Sequence, residues 1–188
     1  VMAGMYAVYH GPEGLKKIAS RTRLMAGLLD AGLRKIGLDT GGKPFFDTVR
    51  VKFAEASRAD AVMQCATQAG MNLRRLSDTE ITASVDEATN PQDVTAILGV
   101  FGGELGTSLV LGDLVEDVRE IDASMLRNDT VLTQEVFNSM HSETEFLRYV
   151  YRLQSKDLSL TSSMIPLGSC TMKLNATTEM LGVTWPEF

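Results

Sequence analysis

The dipeptide Gly11-Pro12 and the apolar run behind it constrain this chain's fold more than any other feature. Proline at a first helical position gives up a backbone donor that would be unsatisfied there anyway, so the pair signals a helix start. Leu15, Ile18, Leu24, Leu28, Leu29 and Leu33 then recur at spacings near three and four, with Lys16, Lys17, Arg21 and Arg23 between them. That pattern predicts a helix from Pro12 to about Ile36 with one buried face. At about 1.5 Å per residue it spans roughly 37 Å, long enough to bridge two domains. Gly37 and the cluster Thr40-Gly41-Gly42 stop it.

The next stretch changes period. Phe45 to Phe53 alternates apolar and polar residues, the mark of a strand with one buried face. Ser57 can cap a helix with Asp60 at its third position; Val62, Met63 and Ala66 form the inner face and Gly70 ends it. Asn72 to Leu76 and Ile81 to Val85 read as two strands joined by a tight turn at Ser77-Asp78-Thr79-Glu80. Asn90-Pro91 opens another helix, with Val94, Ile97, Leu98 and Phe101 inward and Gly102-Gly103 at its end. Together these elements predict a β-α-β-β-α unit, a two-layer α/β (α+β) domain over residues 45–102.

Beyond it, Gly103 to Thr133 is acidic and poor in element signals, so residues 103–134 are expected to be a linker with one or two short helical turns and no evident core. Ser142-Glu143-Thr144-Glu145 has the form of a capping box, and Phe146, Tyr149, Val150 and Leu153 mark one side of the helix that follows. Val1 to Tyr9 and Val183 to Phe188 are apolar at the two termini, which suggests the interior of something longer and, in isolation, association or poor solubility.

Composition narrows the function classes. With 44% hydrophobic and 22% charged residues the chain is neither disordered nor collagenous, and no window approaches the roughly 18 to 20 uninterrupted apolar residues of a membrane span. Eighteen basic against 24 acidic residues, the basic ones scattered, disfavour nucleic acid as a partner. Cys65 and Cys170 lie far apart in unlike segments, which fits a reducing compartment better than a disulfide framework. With His10 and His141 the only histidines, a zinc site has no support in the spacing. The ten methionines read as adaptable core filler. Gly99, Gly102 and Gly103 make no dinucleotide fingerprint, since no strand runs into a glycine turn that opens a helix.

One segment asks for a chemical explanation. Ser163 to Asn175 clusters hydroxyls, a thiol, an amine and an amide around Gly168, and such a turn can present N–H groups, hydroxyls and an ammonium to a carboxylate or phosphate. The residue types alone fit equally an extended loop packed between domains, with Lys173 solvated. No histidine near Cys170 in sequence supports it as a nucleophile. His141 is expected to hydrogen-bond a helix end, His10 to be a turn residue, and Tyr6, Tyr9 and His10 to pack at helical spacing. From periodicity alone, a non-catalytic α/β binding or assembly module built on Phe45 to Phe101 is the competing reading.

The string Met164-Ile165-Pro166-Leu167-Gly168-Ser169-Cys170-Thr171-Met172-Lys173-Leu174-Asn175, the run Val136 to Thr144 and the opening Met2 to Pro12 resemble the P-protein family of the glycine cleavage system, the glycine decarboxylases. The resemblance covers essentially the whole chain, in family order. It implies a piece of a pyridoxal-phosphate fold type I enzyme: residues 1–44 a helical segment of the first half's large domain, 45–102 its small domain, 103–134 the linker, and 135–188 the start of the second, cofactor-carrying half. It further implies an oxidoreductase that decarboxylates glycine on pyridoxal phosphate and passes the aminomethyl group to the lipoyl arm of the H-protein. The remaining half of the P-protein would be a partner, in a homodimer or heterotetramer. Gly168, Ser169, Cys170, Thr171 and Lys173 would form a loop near substrate and cofactor. The Schiff-base lysine lies further downstream in the family, so no catalytic residue and no metal ligand is expected in these residues, and the cofactor would be held by parts outside them. Bacterial cytoplasm is the expected compartment, or the mitochondrial matrix in a eukaryote.

Overall fold

The computed structural model describes residues 1–156 and 181–187. Helix α1 (Met2–Lys35) is two helices end to end, interrupted at Gly11, whose φ of 61° and ψ of 179° leave the helical region. Proline follows at once, as the first residue of the second piece, so the break sits where a missing N–H costs nothing. At the far end Gly37 takes a φ of 83°, its N–H bonds the Arg34 carbonyl at 2.9 Å, and the Leu38 N–H bonds the Leu33 carbonyl at 3.0 Å. This left-handed glycine cap ends the helix where the sequence predicts.

The chain divides into two compact units, Pro12–Val131 and Val1–Gly11 with Leu132–Phe188. The first holds a three-stranded antiparallel sheet in the order β1-β3-β2, from β1 (Thr48–Lys52), β2 (Arg74–Ser77) and β3 (Glu80–Ser84). Between β1 and β2 runs α2 (Ala56–Gln68), and α3 (Pro91–Gly102) follows β3. The predicted β-α-β-β-α order is therefore found, with β3 slotted between the strands that α2 connects, the split form of the β-α-β motif. Val49 pairs with Ala83 and Val51 with Ile81, and these four side chains form the buried face. The outer face carries polar pairs, among them Thr48 Oγ1 with Ser84 Oγ at 2.8 Å and Arg50 with Glu80 at 3.4 Å.

The core joins Met25, Leu28, Leu29 and Leu33 of α1 to the sheet's inner face, to Ala59 and Val62 of α2, and to Val94, Leu98 and Phe101 of α3. Phe53 and Phe101 stack with centroids 6.4 Å apart. Burying each large aliphatic side chain contributes about 1.5–3 kcal/mol, so this patterning orders the unit.

Several boundaries differ from the sequence expectation, each for a local reason. Strand β1 begins at Thr48 rather than Phe45, because its pairing starts opposite Ser84, the last residue of β3. The α2 N-cap is Glu55, not Ser57; Ser57 lies in the first turn and its hydroxyl donates to Glu55 Oε2 at 3.3 Å, while Asp60 is drawn off by Arg75 at 2.6 Å. The register shift between Arg75 and Ser77 moves β2 toward the turn. On α1, Leu24 is 41% exposed and Arg23 is buried, a one-residue rotation of the expected face. The α3 start is a complete capping box: Asn90 Oδ1 accepts from the Asp93 N–H at 3.1 Å, and Asp93 Oδ2 accepts from the Asn90 N–H at 2.8 Å.

The segment expected as a linker does contain short turns: α4 (Glu104–Thr107) and 3-10 turns at Leu111–Asp117 and Ala123–Met125. It also packs. Leu114 is 1% exposed and joins the core, with Leu109, Leu111 and Val118 against it. Gly106 permits this, since a Cβ there would fall on the Leu98 carbonyl of α3.

In the second unit α5 (Glu143–Gln154) is capped by Ser142. Only half the expected box forms: Ser142 Oγ accepts from the Glu145 N–H at 3.3 Å, and the Glu145 carboxylate takes the Ser142 hydroxyl at 2.9 Å instead of the backbone N–H. Phe146, Tyr149 and Val150 are half-buried, while Leu147 and Tyr151 stay exposed.

Candidate functional site

The loop that the sequence singles out, Gly168, Ser169, Cys170, Thr171 and Lys173, lies outside the described residues. The structure draws attention instead to a cluster of charge in the Pro12–Val131 unit. Asp30 sits in the apolar run Met25 to Leu33 and is fully buried. Its Oδ2 receives Arg34 Nε at 3.0 Å and Arg119 Nε at 3.6 Å, and its Oδ1 has no partner. One turn of helix separates Asp30 from Arg34, the spacing at which side chains on one face meet.

Arg23, seven residues before Asp30, is 9% exposed. Its Nη2 donates to the Arg119 carbonyl at 2.8 Å and its guanidinium lies over the Phe45 ring at 4.3 Å, but Nε and Nη1 have no partner. Burial pushes this guanidinium's pKa below its ordinary value, and the Asp30 charge opposes that shift. Arg23 lines a cavity of about 770 Å³ with Lys16 and Ser20 of α1, Phe45 and Phe46 before β1, and Met125, Leu126 and Arg127 of the acidic segment. Three cations and no carboxylate stand in that wall. Lys16 bonds Glu13 at 2.9 Å, and Arg127 is forked onto Asp129 at 2.6 and 2.9 Å; all four are well exposed. Such a wall suits an anionic group joined to an apolar body.

In the sequence Arg23 is one of the basic residues between the apolar positions of a helix, and neither its burial nor that of Asp30 shows in the helical spacing. The available signal was an acid inside the run Met25 to Leu33, four residues ahead of an arginine.

His141 does bond a helix end: its Nδ1 lies 2.8 Å from the Tyr9 carbonyl, at the close of the first piece of α1. A carbonyl can only accept, so Nδ1 carries the proton in this bond. Tyr6 and Tyr9 pack on His10 with centroids at 4.2 and 5.2 Å, and Tyr9 meets Phe146 edge-on at 5.4 Å. These contacts are packing, as the helical spacing predicts. Among the described residues no three His, Cys, Asp or Glu side chains converge as metal ligands, and no helix is long and apolar enough to cross a membrane.

The family model described as the glycine cleavage system P-protein matches residues 1–101. Glycine dehydrogenase (decarboxylating), mitochondrial, of Pisum sativum is 50% identical over 188 residues, which is all of this chain and 18% of that protein. The glycine dehydrogenase (decarboxylating) of Bdellovibrio bacteriovorus is 49% identical over 99% of this chain and 19% of its own length. That of Paraburkholderia xenovorans is 47% identical over the whole chain and 20% of its own length. The chain thus spans about a fifth of the length of the curated relatives it matches. It belongs to the glycine cleavage system P-protein family.

Proposed function

We propose that this chain is part of a glycine decarboxylase, the enzyme that removes CO2 from glycine with pyridoxal phosphate and transfers the aminomethyl group to the lipoyl arm of the H-protein. The observation that carries this reading is identity near one half along the whole chain, rather than over one motif, to proteins named glycine dehydrogenase (decarboxylating). The remainder of the P-protein polypeptide is a partner in it, within a homodimer or heterotetramer. The compartment follows the organism: bacterial cytoplasm, or mitochondrial matrix in a eukaryote.

The described residues do not themselves fit the cofactor. All six described lysines, 16, 17, 35, 43, 52 and 156, are exposed, and none stands enclosed where a Schiff base is kept from water. The cavity at Arg23 holds no carboxylate in its wall to face a pyridine nitrogen. No chemical step is therefore assigned to them. The boundaries 1–44, 45–102, 103–134 and 135–188 stand as the proposed division of the piece within the two-halved enzyme. Gly168 to Lys173 is the proposed stretch near substrate and cofactor, with Lys173 not the Schiff-base lysine.

The test uses the full-length polypeptide with lipoylated H-protein and pyridoxal phosphate, following exchange of labelled bicarbonate into the glycine carboxyl. Exchange is expected, and Ser169→Ala is expected to raise the KM for glycine; a full-length protein without exchange contradicts the reading. The 188 residues alone are expected to be inactive and to form no borohydride-fixed adduct. A single fixed lysine among them would overturn the placement of the cofactor elsewhere.

A further inference from the structure

Three successive residues of the acidic segment are gripped by one stripe of α1. The Asp117 carbonyl accepts from Arg34 Nη2 at 2.6 Å, and the Asp117 carboxylate lies 3.7 Å from Lys35 Nζ. The Arg119 carbonyl accepts from Arg23 Nη2 at 2.8 Å, and Arg119 Nε reaches back to within 3.6 Å of Asp30 Oδ2. Between them Val118, extended at φ −69° and ψ 124°, presses on Gly27, where a Cβ would stand 2.5 Å from Val118 Cγ1 and 3.0 Å from Arg23 Nη1. Arg23, Gly27, Asp30 and Arg34 follow one another at spacings of four and three, so they share one face of the helix. Asp30 Oδ2 takes both Arg34 and Arg119, so one carboxylate fixes the side chain that holds Asp117 and the side chain that follows Val118.

Little else holds the segment down. From residue 107 to residue 131 Leu114 alone is buried, and the helical pieces there are 3-10 turns at Leu111–Asp117 and Ala123–Met125. Helical pieces this short are not stable in water by themselves, so the order of the segment depends on what it docks against. Beyond the grip, Ile121, Met125, Leu126 and Arg127 supply one wall of the 770 Å³ cavity, opposite Ser20 and Arg23 of α1. We infer that residues 111–127 form a strap that releases from the domain and redocks as a unit, latched by Arg23, Asp30 and Arg34 across the Gly27 notch. Its release opens the cavity while α1, the sheet and α3 stay folded. The bonds of the latch are ionic or run to backbone carbonyls, and each exchanges for bonds to water at a small net cost, whereas the buried sheet face has no such substitute. The inference rests on contacts within the Pro12–Val131 unit and is independent of the decarboxylase reading, because none of its readouts uses glycine.

The test is hydrogen exchange with peptide mapping on the full-length polypeptide, in a series of urea concentrations below the global transition. Peptides within 111–119 are expected to share one urea-dependent opening, at least about tenfold faster than peptides of β1 and β3 and with a shallower slope, since less surface is exposed. Rates that merge with those of the sheet at every urea concentration overturn the proposal, because the segment then opens only when the domain unfolds. Rates that do not respond to urea overturn it as well, because the amides then fray singly. Gly27→Ala fills the notch at a helix-interior position where alanine is otherwise favoured, and Asp30→Asn removes the charge of the latch. Each is expected to speed exchange within 111–119 by at least about tenfold; an unchanged rate in either variant overturns the latch. Should a variant not fold, the urea series on the unsubstituted protein decides.

Discussion

At the scale of single residues, the charge cluster shows how one buried carboxylate governs several neighbours. Removing Asp30 would leave Arg34, Arg119 and Arg23 facing one another with no anion among them. Breaking a buried ion pair costs about 3–5 kcal/mol, and the low end applies because Arg34 and Arg119 each keep about a third of their side-chain surface in water. Asp30→Ala is therefore expected to lower unfolding stability by about 3 kcal/mol in urea titrations; a loss below about 1 kcal/mol would mean the cluster is solvated. Asp86 gives a pH prediction. The Thr89 hydroxyl, at 2.9 Å, holds its pKa below the usual carboxylate value; burial, the next largest effect, opposes this, and the Thr89 and Ala88 N–H groups at 3.0 Å lower it further. A depressed folded-state pKa stabilises the fold above the ordinary Asp value near 3.9, and that contribution disappears as pH falls through the depressed value. Thr89→Val is expected to move the Asp86 titration, followed by carboxyl NMR shifts, back toward that ordinary value. An unmoved midpoint would assign the depression to the backbone N–H groups.

At the scale of elements, close approach decides what propensity leaves open. Glycine is unfavourable inside a helix by roughly 1 kcal/mol relative to alanine, so Gly106 in α4 looks like a site where alanine should help. Contact reverses the sign, because a Cβ at 106 overlaps the Leu98 backbone carbonyl, which cannot rotate aside as a side chain would. Gly106→Ala is expected to lose about 1–3 kcal/mol, in the range of overpacked sites. A thermal melt unchanged or raised by the substitution would show that α4 can move off α3. The element order was legible for a related reason. Periods of two and near four survive in any sequence that buries one face, and Gly37, Gly70 and Asn90 sit where caps require their particular chemistry. Where Ser57 failed as a cap, the competing bond from Arg75 to Asp60 came from a strand fifteen residues away, which no local pattern contains.

At the scale of the whole molecule, the exposed apolar residues belong to both units: Phe46, Met125 and Leu126 in one, Leu147 and Tyr151 in the other. Without a covering partner such surfaces associate. Sedimentation velocity on the isolated chain is expected to show concentration-dependent self-association, and Leu126→Lys to weaken it. A monomer at every concentration would contradict this. The sequence by itself determined the part of α1 that starts at Pro12, the β-α-β-β-α order, the helix ends at Gly37, Gly70 and Asn90, and the family, since these depend on residues near one another or on a long ordered string. Only the tertiary structure decided that Leu114 of the acidic segment enters the core, that Arg23 is buried while Leu24 is not, and that Arg23, Phe45 and Arg127 line one cavity. The physical reason is distance along the chain. Burial and charge pairing depend on which surfaces meet, and residues a hundred positions apart acquire that relation only when α1, the sheet and the acidic segment have packed.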